Sequence, residues 1–228
     1  MSEFDRYATS YDEALTRGIA VSGEDKEFFA RGRITWLARC LHQLGEQPQR
    51  VLDFGCGTGN ASPLLRELLR ADSVTGVDTS PALLAEAQRQ HGSDHIHFLP
   101  AADFRPAGQM DLVFCNGVFH HIPLAERAAV AENICRSLRP GGLFALWENN
   151  GWHPGARYVM WRIPFDRDAI PLTPPTARRL VADAGLQWLG TTYQFVFPRL
   201  LRAFRRWEPS LSRWPLGAQY QVLARRVG

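Results

Sequence analysis

A glycine-rich turn at residues 55–59 is the strongest candidate binding site in the sequence. It follows the apolar run Val51–Phe54 and precedes a helical pattern, so a strand leads through the turn into the amino end of a helix. Glycine lacks a Cβ atom, which lets the backbone turn sharply and approach a ligand, and the helix end offers unpaired N–H groups. Asp78 comes nineteen positions after Gly59, at the end of the next apolar run. A carboxylate there can accept hydrogen bonds from both hydroxyls of a ribose, which predicts a nucleoside-containing ligand.

A dinucleotide is the first alternative for that ligand, and the glycine spacing argues against it. The dinucleotide fingerprint is Gly-x-Gly-x-x-Gly. Here Gly55, Gly57 and Gly59 alternate, and Asn60 follows. Asp53 would also repel a pyrophosphate beside the turn. An ordinary strand-to-helix turn without a ligand is the second alternative, and the position of an acid at the end of the next strand disfavours it.

Four short segments extend this pattern in chain order. They are Asp-x-Gly-x-Gly-x-Gly at 53–59, Val-Thr-Gly-Val-Asp at 74–78, Ala-Asp at 102–103 and Leu-Arg-Pro-Gly-Gly at 138–142. Together they resemble class I S-adenosylmethionine-dependent methyltransferases, and the resemblance covers about residues 30–150. Residues 4–12, which begin Phe-Asp-Arg-Tyr-Ala, are also similar to the segment with which many small-molecule members cover the cofactor.

The resemblance implies S-adenosylmethionine as the cofactor and gives roles to individual residues. Gly55 and Gly57 would lie against the methionine part, Asp78 would hold the ribose, and Asp103 would face the adenine amino group. A turn or capping acid is the alternative for Asp103. The full set of predicted cofactor-binding residues is Asp53, Gly55, Cys56, Gly57, Asp78, Thr79, Asp103, Phe104 and Asn116.

Two adjacent histidines, His120 and His121, are the predicted catalytic residues. Methyl transfer is an in-line displacement, so orientation of the acceptor supplies much of the rate, roughly 7 to 11 kcal/mol. A base is needed only where the acceptor must lose a proton, and imidazole titrates near neutrality. Many members of the resembled family carry a histidine at this place without a catalytic duty, so a purely orienting mechanism stays open.

The residues between the fourth predicted strand and these histidines narrow the acceptor class. Amino-directed nucleic-acid and protein methyltransferases of this fold carry Asn/Asp-Pro-Pro-Tyr/Phe there, whereas this chain has Asn-Gly-Val-Phe at 116–119. The Asp-Asn pair with which catechol-type members hold a metal is missing. The sequence therefore predicts a small organic acceptor and no metal, with oxygen, nitrogen and carbon all open as the methylated atom.

Substrate contacts are expected from the opening helix and from two segments outside the shared core, 149–175 and 197–217. The predicted substrate-binding residues are Tyr11, Trp147, Trp152, Tyr158 and Arg162. Packing of these aromatic side chains onto the sheet is the alternative. In the second segment an amphipathic helix is predicted, with one apolar face of Leu200, Leu201, Phe204 and Trp207 opposite four arginines. The paired Arg205 and Arg206 fit an acidic substrate, a membrane surface or a solvated face.

Alternating short apolar runs and helical windows surround these residues, which is typical of an α/β fold. The sequence predicts a Rossmann-like three-layer sandwich around a seven-stranded, mostly parallel sheet whose last strand is antiparallel. It is taken as one domain, 1–228, divided into an amino-terminal helical cap (1–45), a cofactor-binding core (46–148) and the two substrate-side insertions. The predicted strands are Val51–Phe54, Val74–Val77, Ile96–Leu99, Leu112–Cys115, Leu143–Trp147, Trp188–Val196 and Gln219–Ala224. The predicted helices are Ser62–Arg70, Pro81–Gln90, Leu124–Leu138 and Thr176–Ala184.

Composition excludes several other classes. The 228 residues carry a net charge of +3, which is too small to indicate a nucleic-acid partner. The four cysteines are far apart and have no zinc-type spacing. No signal peptide or membrane-spanning run is found, so we expect a cytoplasmic protein, monomeric or homodimeric, with reduced thiols. A non-catalytic cofactor-binding protein of the same fold, or a nicotinamide-dependent oxidoreductase, remains as a rival function.

Overall fold

The computed structural model describes residues 11–167 and 169–228, except the side chains of residues 11 and 12. The predicted covering segment 4–8 therefore lies outside the described residues. Seven strands form one sheet: β1 (Arg50–Phe54), β2 (Ser73–Asp78), β3 (Ile96–Pro100), β4 (Met110–Asn116), β5 (Leu138–Asn149), β6 (Leu186–Gln194) and β7 (Gln219–Arg226). Eight α-helices accompany them in the described chain: α1 (Tyr11–Ile19), α2 (Lys26–Leu44), α3 (Ser62–Leu69), α4 (Pro81–His91), α5 (Arg127–Ser137), α6 (Pro154–Arg162), α7 (Pro174–Asp183) and α8 (Glu208–Leu211).

The sheet order is β3-β2-β1-β4-β5-β7-β6, and β7 alone runs antiparallel to its neighbours β5 and β6. This confirms the predicted seven-stranded sheet with an antiparallel last strand. The carboxyl ends of β1 to β5 meet at one edge, which is where ligands bind in open α/β sheets.

Helices cover both faces of the sheet. On one face, α2 and α3 pack against β1, β4 and β5 through Ile34, Leu37 and Leu65, all fully buried. On the other face, α5 and α7 contribute Ile134 and Val181 to the second core cluster. Because α2 supplies core side chains, it belongs to the sandwich itself. No described helix has both the length and the apolar character that crossing a membrane requires.

The sequence missed α6 within 149–175. Pro154 is the first residue of this helix, and His153 is its N-cap. The ring Nδ1 of His153 accepts a hydrogen bond from the Ala156 N–H at 3.1 Å. Proline at the first helical position and a polar cap before it are ordinary helix-start signals. Two start signals over a nine-residue helix with no clear period were too weak to separate it from a loop.

Candidate active site

The glycine-rich turn is fastened to the end of the neighbouring strand. The backbone N–H groups of Gly55 and Cys56 both donate to the Val77 carbonyl, at 2.8 and 3.0 Å. Gly57 has φ +54, and a Cβ added there would find open space within 4 Å. Glycine adopts this left-handed conformation without strain, and because it has no side chain, the backbone at this position stays accessible to a ligand.

Asp78 is held in one orientation by the backbone around it. Its Oδ2 accepts from the Gly57 N–H and its Oδ1 from the Ser80 N–H, both at 2.9 Å. A carboxylate has about four lone-pair sites, so each oxygen can accept one hydrogen bond more. That remaining capacity fits the two hydroxyls of a ribose, and the open space at Gly57 fits the rest of a nucleoside beside it.

Asp53 lies inside the protein, not on its surface. Only 3% of it is exposed, and Ser62 Oγ at the start of α3 donates to its Oδ2 at 2.7 Å. Burial raises the pKa of Asp53 to about 7; the Ser62 hydrogen bond and Arg33 oppose this rise, and the negative charge of Asp78 adds to it. The predicted cofactor neighbour is therefore also a link between β1 and α3.

The remaining predicted cofactor residues follow the carboxyl ends of three strands. Thr79 comes after β2, Asp103 and Phe104 after β3, and Asn116 ends β4. Thr79 and Asp103 are exposed, whereas Phe104 and Asn116 are half-buried. In a parallel sheet these ends lie at one edge, so all four residues follow the same edge of the sheet. Their contacts with a cofactor stay a prediction.

A cavity of about 370 Å³ opens beside Asn116 and Gly117, at the same edge. Most of its wall is apolar and comes from α1, α2, α6 and the segment after β6. The apolar side chains on this wall include Leu15, Ile19, Phe28, Phe29, Val159, Ile163, Phe165, Phe195 and Phe197. A mostly apolar pocket with a few placed polar groups is typical of a small-molecule site.

One polar row crosses the cavity wall. Arg33 Nη1 of α2 donates to Gln219 Oε1 at 2.9 Å, and Gln219 Nε2 donates to Asn149 Oδ1 at 3.1 Å. All three residues line the cavity. Arg33 is only 9% exposed, and its charge also reaches Asp53. A buried guanidinium between the cavity and the glycine turn can hold the carboxylate of a ligand at either place.

Two histidines and two acids form a compact network at the other side of the cavity. Glu148 Oε1 accepts from the Phe119 N–H at 2.8 Å, and its Oε2 lies 2.5 Å from His120 Nδ1. Asp166 Oδ1 lies 3.5 Å from His120 Nε2 and 3.1 Å from His121 Nε2. His120, His121 and Asp166 all line the cavity.

The charges in this network separate the roles of the two histidines. Burial by itself lowers the pKa of His120, but Glu148 and Asp166 outweigh it and raise the value to about 10. The pKa of Asp166 is lowered: burial opposes ionisation, and its bonds to both imidazoles prevail. Glu148 and Asp166 therefore favour the protonated form of His120. His121 is half-buried and lines the cavity.

The same three side chains have the composition of a metal site. One donor atom from each of His120, His121 and Asp166 lies within 4.8 Å of the others. Two imidazoles and a carboxylate are ligands that zinc and iron accept. As placed, Asp166 Oδ1 lies 3.1 Å from His121 Nε2 and 3.5 Å from His120 Nε2, and the His120 Nε2 atom makes no hydrogen bond to the described residues.

Trp147 does not line the cavity, contrary to its predicted place on the substrate wall. It is fully buried in the cluster formed with α2 and α3. Successive residues of a strand point to opposite faces of the sheet, and β5 is covered on both faces. A tryptophan near the end of such a strand fills the core and does not reach the site.

Three further predicted substrate residues do not line the cavity; for the two on α6 the reason is that this helix turns its other face to the cavity. Ala156, Val159 and Ile163 line the cavity wall, whereas Trp152 and Tyr158 are 52% and 46% exposed. Arg162 is exposed too, with its guanidinium 5.9 Å from the Tyr158 ring centre. None of the three corrected residues lines the cavity. The side chain of Tyr11 lies outside the described residues.

The sequence interpretation missed Arg33, Glu148, Asp166 and the pair Phe28 and Phe29. Glu148 directly follows an apolar strand, where an acid is unusual, so it carried a detectable signal. Asp166 had none, because it lies in the segment without a period and meets His121 only after the chain has folded back. Arg33 looks like one of many surface arginines in a helix.

Comparison with known proteins points the same way as the sequence segments. Residues 52–144 match the methyltransferase domain family, and they span the glycine turn, Asp78 and the histidine pair. The match covers less than half of the 228 residues. It agrees with the resemblance read from the four sequence segments.

The methyltransferase domain is similar to both curated and solved proteins. Trans-aconitate 2-methyltransferase of Methylobacterium nodulans is 34% identical over 137 residues, which are 60% of this chain and 50% of that protein. This chain thus spans about half the length of that relative. A methyltransferase structure from Thermotoga maritima covers 98% of the chain and 97% of its own, with a TM-score of 0.67 at 15% identity. The structure of human N-acetylserotonin methyltransferase in complex with SAM aligns with 99% of this chain. The alignment includes 59% of the human chain, with a TM-score of 0.65 at 17% identity.

Proposed function

We propose that this protein transfers a methyl group from S-adenosylmethionine to a small organic acceptor held in the apolar cavity. The supporting observation is that the cavity begins at Asn116 and Gly117, at the edge where the glycine turn and Asp78 form a nucleoside cradle. When bound, S-adenosylmethionine supplies a methyl group on a sulfonium, which a lone pair can attack. The chain must then hold the acceptor in line and exclude water.

The cavity wall favours an acceptor with an apolar body. The curated relatives are named for methylation of trans-aconitate, an acid. In this chain the wall is built largely from aromatic and aliphatic side chains, and the Arg205 cation there is paired with Glu24 at 2.9 Å. The basic side chains of helix α2 on this wall are Lys26 and Arg33, and Arg33 donates to Gln219 at 2.9 Å. We infer an acceptor that is mostly apolar, in contrast to a polyacid.

The histidine network favours an acceptor that loses a proton. His121 Nε2 lies 3.1 Å from Asp166 Oδ1 and can donate a hydrogen bond to it. Asp166 stabilises the imidazolium that forms when His121 takes the acceptor proton, and His120, ion-paired with Glu148, keeps Asp166 in place. His121 is thus the general base and Asp166 its positioning residue. This arrangement favours a hydroxyl or amine acceptor over a carboxylate, which has no proton to lose.

The test is transfer of labelled methyl from S-adenosylmethionine to the small-molecule fraction of a cell extract, with products separated by chromatography. We expect labelled product with the unmodified protein, in the presence of a metal chelator, and much less with Asp78→Ala. Each lost charged hydrogen bond to the ribose costs about 1.5–3 kcal/mol of cofactor binding. The matched control is Trp188→Ser, which changes an exposed side chain on the edge strand β6. We expect this variant to keep full transfer.

The outcomes separate the rival functions. Binding of S-adenosylhomocysteine without any label transfer would favour the non-catalytic protein of the same fold. Binding of NADH in its place would favour the oxidoreductase. Loss of transfer on chelation, with recovery on adding zinc, would indicate that His120, His121 and Asp166 bind a metal. His121 would then not act as the base.

A further inference from the structure

The segment 199–216 exposes a concentration of large apolar side chains. Six of those that are exposed in the described chain fall within it: Leu200, Leu201, Phe204, Trp207, Trp214 and Leu216. Leu200 is 92% exposed and Trp214 63%. Scattered apolar residues on a surface are ordinary, but a run of this kind marks an interaction surface.

The local helix arranges part of this segment as a ridge. Residues Arg199–Trp207 form a 3-10 helix, with a kink at Leu201. In a 3-10 helix the residues at i and i+3 eclipse one another, so Phe204 and Trp207 follow one line, and Leu201 precedes them at the kink. The rings of Phe204 and Trp207 are 5.3 Å apart. The predicted α-helix would have spread the same residues over a wider face.

A second line of the same helix fastens it to the body of the protein. Arg199 Nη1 donates to the Gly23 carbonyl at 3.3 Å, and Arg205 Nη2 lies 2.9 Å from Glu24. The Arg205 guanidinium also sits 4.5 Å from the ring centre of Phe28. Arg199 and Arg205 thus fasten the helix to the body of the protein, while Arg202 and the apolar ridge stay exposed.

The charge on the outside of the segment is positive. Arg202, Arg206 and Arg213 are exposed. The acid within the segment, Glu208, is half-buried and accepts a hydrogen bond from the Phe197 N–H at 2.9 Å. Apolar side chains interleaved with arginines, without a competing exposed acid in the segment, match a surface that is both apolar and anionic.

The segment is also continuous with the cavity. Phe197, Pro198 and Arg205 line it from the inside, while their neighbours Leu200 and Trp207 face out. Val21, which lines the cavity on the adjoining turn, is 55% exposed. A surface that bound here would therefore lie beside the cavity wall.

We propose that the segment 199–216 docks the protein on an anionic lipid surface. The apolar ridge enters the acyl boundary, and Arg202, Arg206 and Arg213 contact lipid phosphates. Docking of this kind is peripheral and uses an amphipathic segment lying in the plane of the membrane. An acceptor with an apolar body could then pass from the lipid into the adjoining cavity.

The test is flotation of the full chain with vesicles of phosphatidylcholine containing one third phosphatidylglycerol. We expect binding that falls as salt is raised and that is weak on pure phosphatidylcholine. Each arginine near the surface is worth about a five-fold change in partitioning, so Arg202→Gln with Arg206→Gln lowers it about thirty-fold. Trp207→Ser lowers it about ten-fold through the lost apolar contact.

Matched controls come from the opposite side of the molecule. Trp188 is 42% exposed and Arg179 is exposed, and both lie away from the cavity. Trp188→Ser and Arg179→Gln should bind vesicles as the unmodified chain does. Equal loss in these controls, or unchanged binding in the segment variants with an unchanged melting temperature, would overturn the proposal.

A second copy of the chain is the competing occupant of this surface. Sedimentation velocity without lipid measures it directly. A dimer that Trp207→Ser converts to a monomer, with no vesicle binding by either protein, would refute the lipid proposal. This result leaves the methyl-transfer proposal intact, since labelled transfer to a soluble acceptor is measured without vesicles.

Discussion

Asp53 is a buried carboxyl with two contacts that matter for stability, Ser62 and Arg33. Its raised pKa means that the folded chain still holds a proton at pH values where the unfolded chain has lost it. Such a group contributes stability below its unfolded value of 3.8, and this contribution is lost as pH rises through the folded value of about 7. The residue therefore makes the fold weaker at neutral pH than at mildly acidic pH.

Asp53→Asn should remove that pH dependence. The amide can still accept from Ser62 Oγ, but it does not titrate. Urea denaturation gives the free energy of unfolding of each chain. The value for the unmodified chain minus that for the variant should fall by about 4 kcal/mol at most between pH 4 and pH 7. A difference that stays flat over this range would contradict the raised pKa. Asp103→Asn, an exposed acid, serves as the control.

We expect different effects from substitutions of the adjacent residues His121 and His120. Replacing a general base costs about 10²–10⁴ in rate, so His121→Ala should lower kcat in that range. KM for S-adenosylmethionine should stay the same. His120→Gln should instead weaken folding, because it leaves Glu148 and Asp166 buried with less compensation. His95→Ala, an exposed histidine near the other edge of the sheet, should change neither.

Asp166→Asn separates positioning from a merely structural role. The amide keeps the shape of the side chain but stabilises an imidazolium less well. The kcat of this variant should be lower than that of the unmodified chain at each pH, while its melting temperature changes little. A large loss of stability with an unchanged profile would show that Asp166 holds α6 in place and has no part in catalysis.

The glycine turn shows how a whole element can depend on one backbone conformation. Gly57 and Gly45 both have positive φ and open space where a Cβ would lie. In each, alanine costs about 1–2 kcal/mol of backbone strain. Gly57→Ala should also place a methyl group in the cofactor cradle and weaken S-adenosylhomocysteine binding in calorimetry at least ten-fold.

Gly45→Ala is the matched control, because it carries the same strain at the end of α2, away from the cradle. It should lose stability and keep full affinity. Equal affinity in both variants would mean that the open space at Gly57 is not where the cofactor lies.

The strands and central helices were predictable from sequence because their signals are local. Short apolar runs ending in Gly, Asp or Asn gave β1 to β4 within a residue or two, and Pro81 and Ser80 marked the start of α4. The strand β5 begins five residues earlier than predicted, since Leu138 pairs with Met110 before an irregular step at Pro140–Gly142. Pairing across such a bulge depends on the partner strand and leaves no local pattern.

The cavity wall was not predictable in the same way. The aromatic residues of α6 were taken as the wall because of their type, but helix phase places Tyr158 outside and Val159 inside. That phase is set by contacts of α6 with α1, which a sequence pattern of nine residues does not reveal. Likewise, Asp166 meets His121 only through the tertiary fold.

At the scale of the whole molecule, a ligand that binds only the folded chain must raise its melting temperature. The cradle, Asp78 and the cavity edge belong to one sheet, so binding there is linked to global unfolding. At a concentration one hundred times its dissociation constant, a ligand adds about 2.7 kcal/mol of stability. For a domain of this size that corresponds to a shift of about 5–10 °C.

S-adenosylhomocysteine should give this shift in differential scanning fluorimetry, and NADH should give none. The reason is the alternating glycine spacing, which differs from the Gly-x-Gly-x-x-Gly fingerprint of a dinucleotide site. Asp78→Asn should reduce the shift, because the amide offers one acceptor oxygen where the carboxylate offers two. A shift with NADH that Asp78→Asn abolishes would place a dinucleotide in the cradle, and the methyl-transfer proposal would then fail on the same residue that supports it.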